Sequence, residues 1–221
     1  MIASVVVDWL VPAILFVLVV TAAWIGIRWT SSEELAALRS APLFNGLSTR
    51  QLRSILANAH PVTFSPREKL TTQGEAGDRF YLVKDGEAEV LIGGGEKGTI
   101  GPGGYFGEIS VIDEGPRTAT VVARTRVAAL ELTSQDLLRT LDRYPSITRL
   151  IFLKLRALLI AEGEAVPYAE SDPIDHAVLA ELGQRLRKLH GIDWSPAGPK
   201  RRWRRLGRIG VTRPREEPSR R

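Results

Sequence analysis

The stretch GYFGEISVIDEGPRTATV, residues 104–121, sets one carboxylate, Glu108, nine positions before one guanidinium, Arg117, behind the glycines Gly104 and Gly107. A planar guanidinium offers forked donors that match phosphate oxygens bidentately, which a lysine point charge does not. A carboxylate accepts from sugar hydroxyls. Gly107 lacks a Cβ and lets backbone amides close on an anion, and the short residues after Arg117 can present further N–H groups to it. These residue types at this spacing suit a small sugar phosphate. The competing reading is an ordinary charge pair across a turn, worth little where water reaches it.

Outward from this stretch, residues 64–132 break into short β-prone runs at 80–83, 88–92 and 118–122, divided by glycine clusters at 93–95 and 101–104. Short strands punctuated in this way predict an antiparallel sandwich or jelly roll. A cupin shares that architecture but needs interior histidines, and none follows His60 in the region.

Phe106-Gly107-Glu108 stands in register with Pro116-Arg117-Thr118-Ala119 and with the upstream Phe64, Gln73-Gly74-Glu75, Gly77-Asp78, Phe80-Tyr81 and Gly86. Together they resemble the phosphate-binding cassette and β-roll of the cyclic-nucleotide-binding domain, the module of catabolite activator protein, the protein kinase A regulatory subunit and cyclic-nucleotide-gated channels. The resemblance runs over about residues 42–160. Pro42-Leu43-Phe44 and 49–57 are similar to the family's helical lead-in, and 132–159 to its two closing helices. It implies an α+β fold: an antiparallel, jelly-roll-like β-roll with flanking helices.

The resemblance also implies a ligand, cAMP or cGMP, with no cofactor and no catalysis. Arg117 would pair with the equatorial phosphate oxygen and Glu108 would accept from the ribose 2′-hydroxyl. Backbone N–H groups of Gly107, Glu108 and Ala119 would complete the cradle. In the family a threonine at the position of Thr118 can bond the 2-amino group of a syn guanine, yet members with threonine also bind cAMP, so Thr118 does not choose the base. Ligand in such domains draws the C-terminal helix over the base. Here the helix after Pro145 would be that lid, and the amphipathic helix and arginine-rich tail beyond it the effector surface.

Helix signals continue beyond the β-prone region. Thr133-Ser134-Gln135-Asp136 opens a helix that Pro145 interrupts, and a second runs over 146–161. The second is apolar nearly all round, leaving a narrow polar strip with Arg149 and Arg156, so it needs cover on more than one face. One face suits the β-roll and the base. The other suits a second subunit in a homodimer or a neighbour within the chain. Further on, Asp172-Pro173-Ile174-Asp175 reads as a cap with proline at the first helical position, leading a stripe of Ile174, Val178, Leu182, Leu186 and Leu189.

The ends differ from the middle. Residues 9–27 are nineteen uncharged positions, enough at about 1.5 Å per residue to cross a hydrocarbon core of about 30 Å. Trp9 and Trp24 stand near the ends as interfacial aromatics would. A cleaved secretory signal competes with a membrane anchor, but no Lys or Arg precedes the run. Arg28 and Arg39 follow it closely, which puts the remainder on the cytoplasmic side of a single-pass cell-membrane protein. SSEELAAL, residues 31–38, starts a connector helix. Residues 200–221 hold ten Lys or Arg and two Glu, a net of +8, so the other 199 residues carry −3 of the total of +5. The prolines and glycines scattered among those charges predict a disordered tail, suited to an anionic leaflet and, with similar electrostatics, to nucleic acid; the membrane span favours the leaflet.

The resulting division is 1–30 transmembrane anchor, 31–41 connector, 42–162 cyclic-nucleotide-binding domain, 163–192 linker and amphipathic helix, and 193–221 basic tail. With no cysteine, thiolate metal sites are excluded. His60, His176 and His190 have no metal-ligand spacing and are expected at the surface or in turns. No nucleophile–base pair stands out, and GGGEKG at 93–98 lacks the spacing and Ser/Thr of a P-loop. The leading expectation is a membrane-anchored, non-enzymatic receptor. A ligand-free docking domain on a membrane stalk and a catabolite-activator-like transcription regulator are the alternatives.

Overall fold

Strand residues here alternate between two covers, and that alternation builds the molecule. The computed structural model describes residues 32–192. The expected membrane span at 9–27 and the basic tail at 193–221 lie outside the described residues; among the described residues no helix is long and apolar enough to cross a membrane. Among the described residues the eight strands are, in chain order, β1 His60–Phe64, β2 Lys69–Thr71, β3 Arg79–Asp85, β4 Ala88–Ile92, β5 Gly95–Ile100, β6 Tyr105–Phe106, β7 Thr120–Ala123 and β8 Val127–Thr133. They form two four-stranded antiparallel sheets, ordered β1-β8-β3-β6 and β2-β7-β4-β5.

β3 shows how the layers arise. Successive side chains of a strand point to opposite faces. Tyr81 and Val83 therefore face the second sheet, packing with Ala88, Phe106, Val121, Ala123 and Val127. Phe80 and Leu82 face the helices, with Leu130 and Leu132 of β8. The register Tyr81↔Glu131 and Leu82↔Leu130 keeps these faces aligned across the pair. Full burial of such a side chain stabilises by about 1.5–3 kcal/mol.

The helices are α1 (32–40), α2 Thr49–Leu56, α3 Glu108–Ile112, α4 Ser134–Arg143, α5 Pro145–Ala161 and α6 His176–Leu189, with a 3₁₀ turn at Pro42–Phe44. Local chemistry sets their starts. Ser48 and Gln51 close a reciprocal capping box on α2. Thr133 caps α4 through the Asp136 N–H at 3.2 Å. Pro145 takes the first position of α5, where its missing N–H is no loss.

Two expectations are corrected here and one pair of alternatives is narrowed. Of the two covers named for the second face of α5, the neighbour within the chain is present: α6 packs on it and Ile151, Leu155 and Leu159 are fully buried, while Leu158 and Ile160 stay exposed. α6 begins at His176 rather than after Asp172, because Asp172 accepts from the Ala169 N–H at 2.7 Å and closes a turn, while Asp175 accepts from the Val178 N–H at 2.9 Å and caps the helix. The buried stripe of α6 is Leu179, Leu182, Gly183 and Leu186. Leu189, placed on the stripe from sequence, is exposed. Among the described residues α6 is the single helix after α5.

Candidate functional site

The turn after β6 makes the site. Gly107 has φ +86°, and a Cβ there would stand 2.5 Å from both Arg117 Nη1 and the Arg79 carbonyl oxygen. Glycine is thus required by conformation and by space. Residue 108 opens the five-residue α3, and the chain returns through 113–119 into β7. That return is pinned to the loop after β2: Arg117 N–H donates to the Glu75 carbonyl at 2.8 Å, Gly74 N–H donates to the Arg117 carbonyl at 2.9 Å, and Thr71 Oγ1 donates to the Ala119 carbonyl at 3.2 Å.

Arg117 is buried, and its guanidinium is held by several groups at once. Nη1 donates to the Arg79 carbonyl at 2.7 Å, to Ser110 Oγ at 2.9 Å and to the Gly107 carbonyl at 3.3 Å. Its guanidinium carbon lies 5.9 Å from the Tyr81 ring centroid, within cation–π reach. Burial lowers its pKa, with nearby Tyr81 and Asp78 opposing the shift, and an arginine so held remains a cation. Burial, then Glu131, pushes the Tyr81 phenol up to about 12, so the ring stays neutral beside it. Gly77 lies flat against this side chain, and any Cβ there would overlap the guanidinium.

Glu108 is only 3% exposed. It does not pair with Arg117. Its Oε1 lies 2.7 Å from Lys154 Nζ of α5, and that ammonium also donates to the Tyr105 carbonyl at 2.9 Å and sits 3.9 Å above the Tyr105 ring. Burial, with Glu108 nearby, pushes the Tyr105 phenol above its ordinary range. The surface-pair reading of Glu108 and Arg117 fails, because both are buried and each has separate partners.

Gly107, Glu108, Arg117, Thr118 and Ala119 all line one cleft of about 780 Å³. The five residues singled out from sequence are thereby brought together. Across from them the cleft is walled by Lys154 and Leu158 of α5 and by Leu186 and His190 at the end of α6. A cation, a carboxylate and backbone amides on one side, with apolar and imidazole groups on the other, can hold an anionic sugar phosphate carrying a flat base.

Several of these residues were not found from sequence. Lys154 hides in an apolar helix. Asp113 and Arg187, fully buried, pair at 2.5 Å, and Arg187 Nε donates to the Pro116 carbonyl at 3.2 Å. His190, expected at the surface or in a turn, lies in the turn after α6 and is half-buried in the cleft; burial lowers its pKa, against a hydrogen bond with the Thr118 backbone that raises it. His176 is also partly covered, with Nε2 2.7 Å from Asp142 Oδ1, and His60 is exposed. Among the described residues no group of three or more His, Asp or Glu is placed to hold a metal ion.

Residues 61–144 match the family of the cyclic nucleotide-binding domain. The chain is 36% identical over 97 residues to the cAMP-dependent protein kinase regulatory subunit of Yarrowia lipolytica, covering 43% of this chain and 26% of that one. It is 35% identical over 134 residues to the human cyclic nucleotide-gated channel beta-3, covering 57% and 16%. The chain thus spans about a quarter or less of the length of these curated relatives. Its fold is similar to that of cAMP-bound PfPKA-R (141-441), with a TM-score of 0.53 at 20% identity over 60% of this chain and 47% of that one. A second neighbour, PKAR CBD2 bound to Sp-2Cl-cAMPS, gives 0.52 at 21% identity over 59% and 90%. At those identities the neighbours establish the fold alone. Taken with the sequence match and the cassette geometry, residues 61–144 are a cyclic nucleotide-binding domain.

Proposed function

We propose that this protein is a membrane-anchored, non-enzymatic receptor for a cyclic nucleotide, cAMP or cGMP, whose signal is movement of α5 and α6. The observation that carries it is the convergence of buried Arg117 and buried Glu108 on one cleft with Gly107, Thr118 and Ala119. Arg117 takes an equatorial phosphate oxygen. Glu108 accepts the ribose 2′-hydroxyl, sharing its charge with Lys154. Amides of Gly107, Glu108 and Ala119 close on the phosphate, and Thr118 stands where the base enters. The cAMP ligands of the structural neighbours support the ligand class without choosing between the bases.

A calorimetric titration of the full chain with cAMP and cGMP tests this reading. Saturable binding at one site per chain is expected for at least one of them. The Lys154–Glu108 pair favours one second reading, a ligand-free structural domain in which Glu108 simply anchors α5. Absence of saturable heat up to about 1 mM nucleotide, an affinity of roughly −4 kcal/mol, would select it.

Gly77→Ala separates the site from the fold. The added methyl must displace the guanidinium, since Gly77 lies against Arg117, yet Gly77 does not have a left-handed φ. Expected is a loss of about tenfold or more in nucleotide affinity, the cost of a weakened charged hydrogen bond of about 1.5–3 kcal/mol, with the domain still folded and destabilised by no more than the lost Arg79 and Ser110 contacts. Equal affinity in variant and parent would remove the phosphate role from Arg117.

The membrane part of the proposal rests on residues 9–27, and the tail of net charge +8 would lie against the anionic leaflet on the same side. Full-length protein should stay in the membrane pellet through alkaline carbonate, with its C-terminal part open to protease only from the cytoplasmic face. A shortened, freely extracted chain would instead indicate a removed signal.

A further inference from the structure

We infer that Arg187, on α6, is a positioning residue for Arg117: it clamps the segment 113–116 that leads into the phosphate arginine, so docking of α6 and capture of the phosphate form one coupled equilibrium. The inference rests on the nucleotide-receptor reading.

The two arginines hold opposite ends of one segment, residues 107–116. From α6, Arg187 Nη2 meets Asp113 Oδ1 at 2.5 Å and Nε donates to the carbonyl of Pro116, the residue immediately before Arg117. On the cleft side, Arg117 Nη1 donates to Ser110 Oγ at 2.9 Å. Between them, Gly115 N–H donates to Asp113 Oδ1 at 3.2 Å and to the Ser110 carbonyl at 3.2 Å. Gly115 itself must be glycine, because the Arg187 guanidinium fills the place of its Cβ. Gly183 does the same for the helix, where a Cβ would stand 3.1 Å from Ile109 Cγ2 and 3.2 Å from Asp113 Oδ2. Two glycines far apart in sequence thus let α6 settle on the cassette.

The same docking shapes the cleft. Leu186 and His190 line it, and the His190 carbonyl accepts from Gln73 Nε2 at 3.2 Å, tying the end of α6 to the loop after β2. Asp113 is fully buried, so α6 cannot lift away without leaving a buried carboxylate short of its cation or rearranging the loop that carries it. A contact of that kind has two states rather than a continuum. Coupling between two sites is reciprocal, so nucleotide must favour docked α6 by the factor that docking favours nucleotide.

The test uses the full chain with Arg187→Lys and Arg187→Met, reading cAMP and cGMP affinity beside amide hydrogen exchange of α6 and of the β-roll. Nucleotide should slow exchange across 176–190 in the parent. Arg187→Lys keeps a cation for Asp113 but cannot reach Pro116 as well, so it should remain folded and bind about fivefold more weakly, the loss of roughly one hydrogen bond. Arg187→Met should free α6 and weaken binding further; should its β-roll lose protection too, Arg187→Lys carries the decision. Arg117→Ala should leave α6 exchange unchanged without nucleotide, which a general loosening of the fold would not do. Parent protein that binds nucleotide with no change in α6 exchange overturns the coupling alone, as does Arg187→Met that frees α6 yet binds within twofold of the parent. A parent that binds neither nucleotide overturns the receptor reading and the coupling with it.

Discussion

Arg117→Ala should lower cyclic-nucleotide affinity by about thirtyfold or more while leaving the domain folded. Truncating one side of a buried charge pair costs about 2–5 kcal/mol, and the phosphate would meet backbone amides with no forked cation among them. The fold has reasons to survive. Arg117 is anchored by acceptors at its edge, while the apolar clusters around Phe80 and Tyr81 do not depend on it. The Arg79 carbonyl and Ser110 hydroxyl would lose a donor, a loss of about 1–3 kcal/mol unless water replaces it. Calorimetry on the variant, with its thermal unfolding followed in parallel, checks both halves. Affinity within threefold of the parent would remove Arg117 from the site.

The largest stability effect is expected at the other buried charge pair. Asp113→Ala leaves the Arg187 guanidinium, 1% exposed, without its carboxylate. Breaking a buried pair from one side costs about 3–5 kcal/mol, and the cost falls first on the docking of α6. Unfolding should lose cooperativity, with α6 becoming open to protease before the β-roll melts. Replacing both partners together, Asp113→Leu with Arg187→Met, should recover much of the stability, because two apolar groups need no counter-charge. Single substitutions that cost less than about 1 kcal/mol would show the pair to be idle.

The convergence of these residues on one cleft was legible because few other roles demand such types in that order. Gly107 takes a positive φ, and Glu108 and Arg117 are both buried on the cleft it opens, all within one short segment. The β-prone runs were legible for the same reason, since period-two alternation in β3 follows directly from which faces are covered. Lys154 was not, because one lysine in an apolar helix reads as part of its polar strip, and only the fold brings it 2.7 Å from Glu108.

A helix with a stripe to bury is legible in this segment, but its start and the phase of its stripe are misplaced by one ambiguity. Both Asp172 and Asp175 fit a helix cap, and Pro173 argued for the earlier one, while the structure uses Asp172 to close a turn on Ala169. That choice shifted the apolar stripe toward Leu189 and away from Leu179 and Gly183. With the phase corrected, Arg187 falls four residues after Gly183 on the buried face, where a lone arginine calls for a buried acid. The acid, Asp113, lies 74 positions earlier. No pattern local to either residue links them.

The central claim is that a cyclic nucleotide binds in the cleft formed by residues 97–121, β4, α5 and the end of α6. Amide hydrogen exchange of the full-length protein, with and without saturating cAMP or cGMP, tests it most directly. The account predicts slowed exchange concentrated in these lining segments, with the β1–β8 pair at 60–64 and 127–133 unaffected. Protection falling elsewhere in the protein, or no protection by either nucleotide at concentrations that saturate binding, would contradict it.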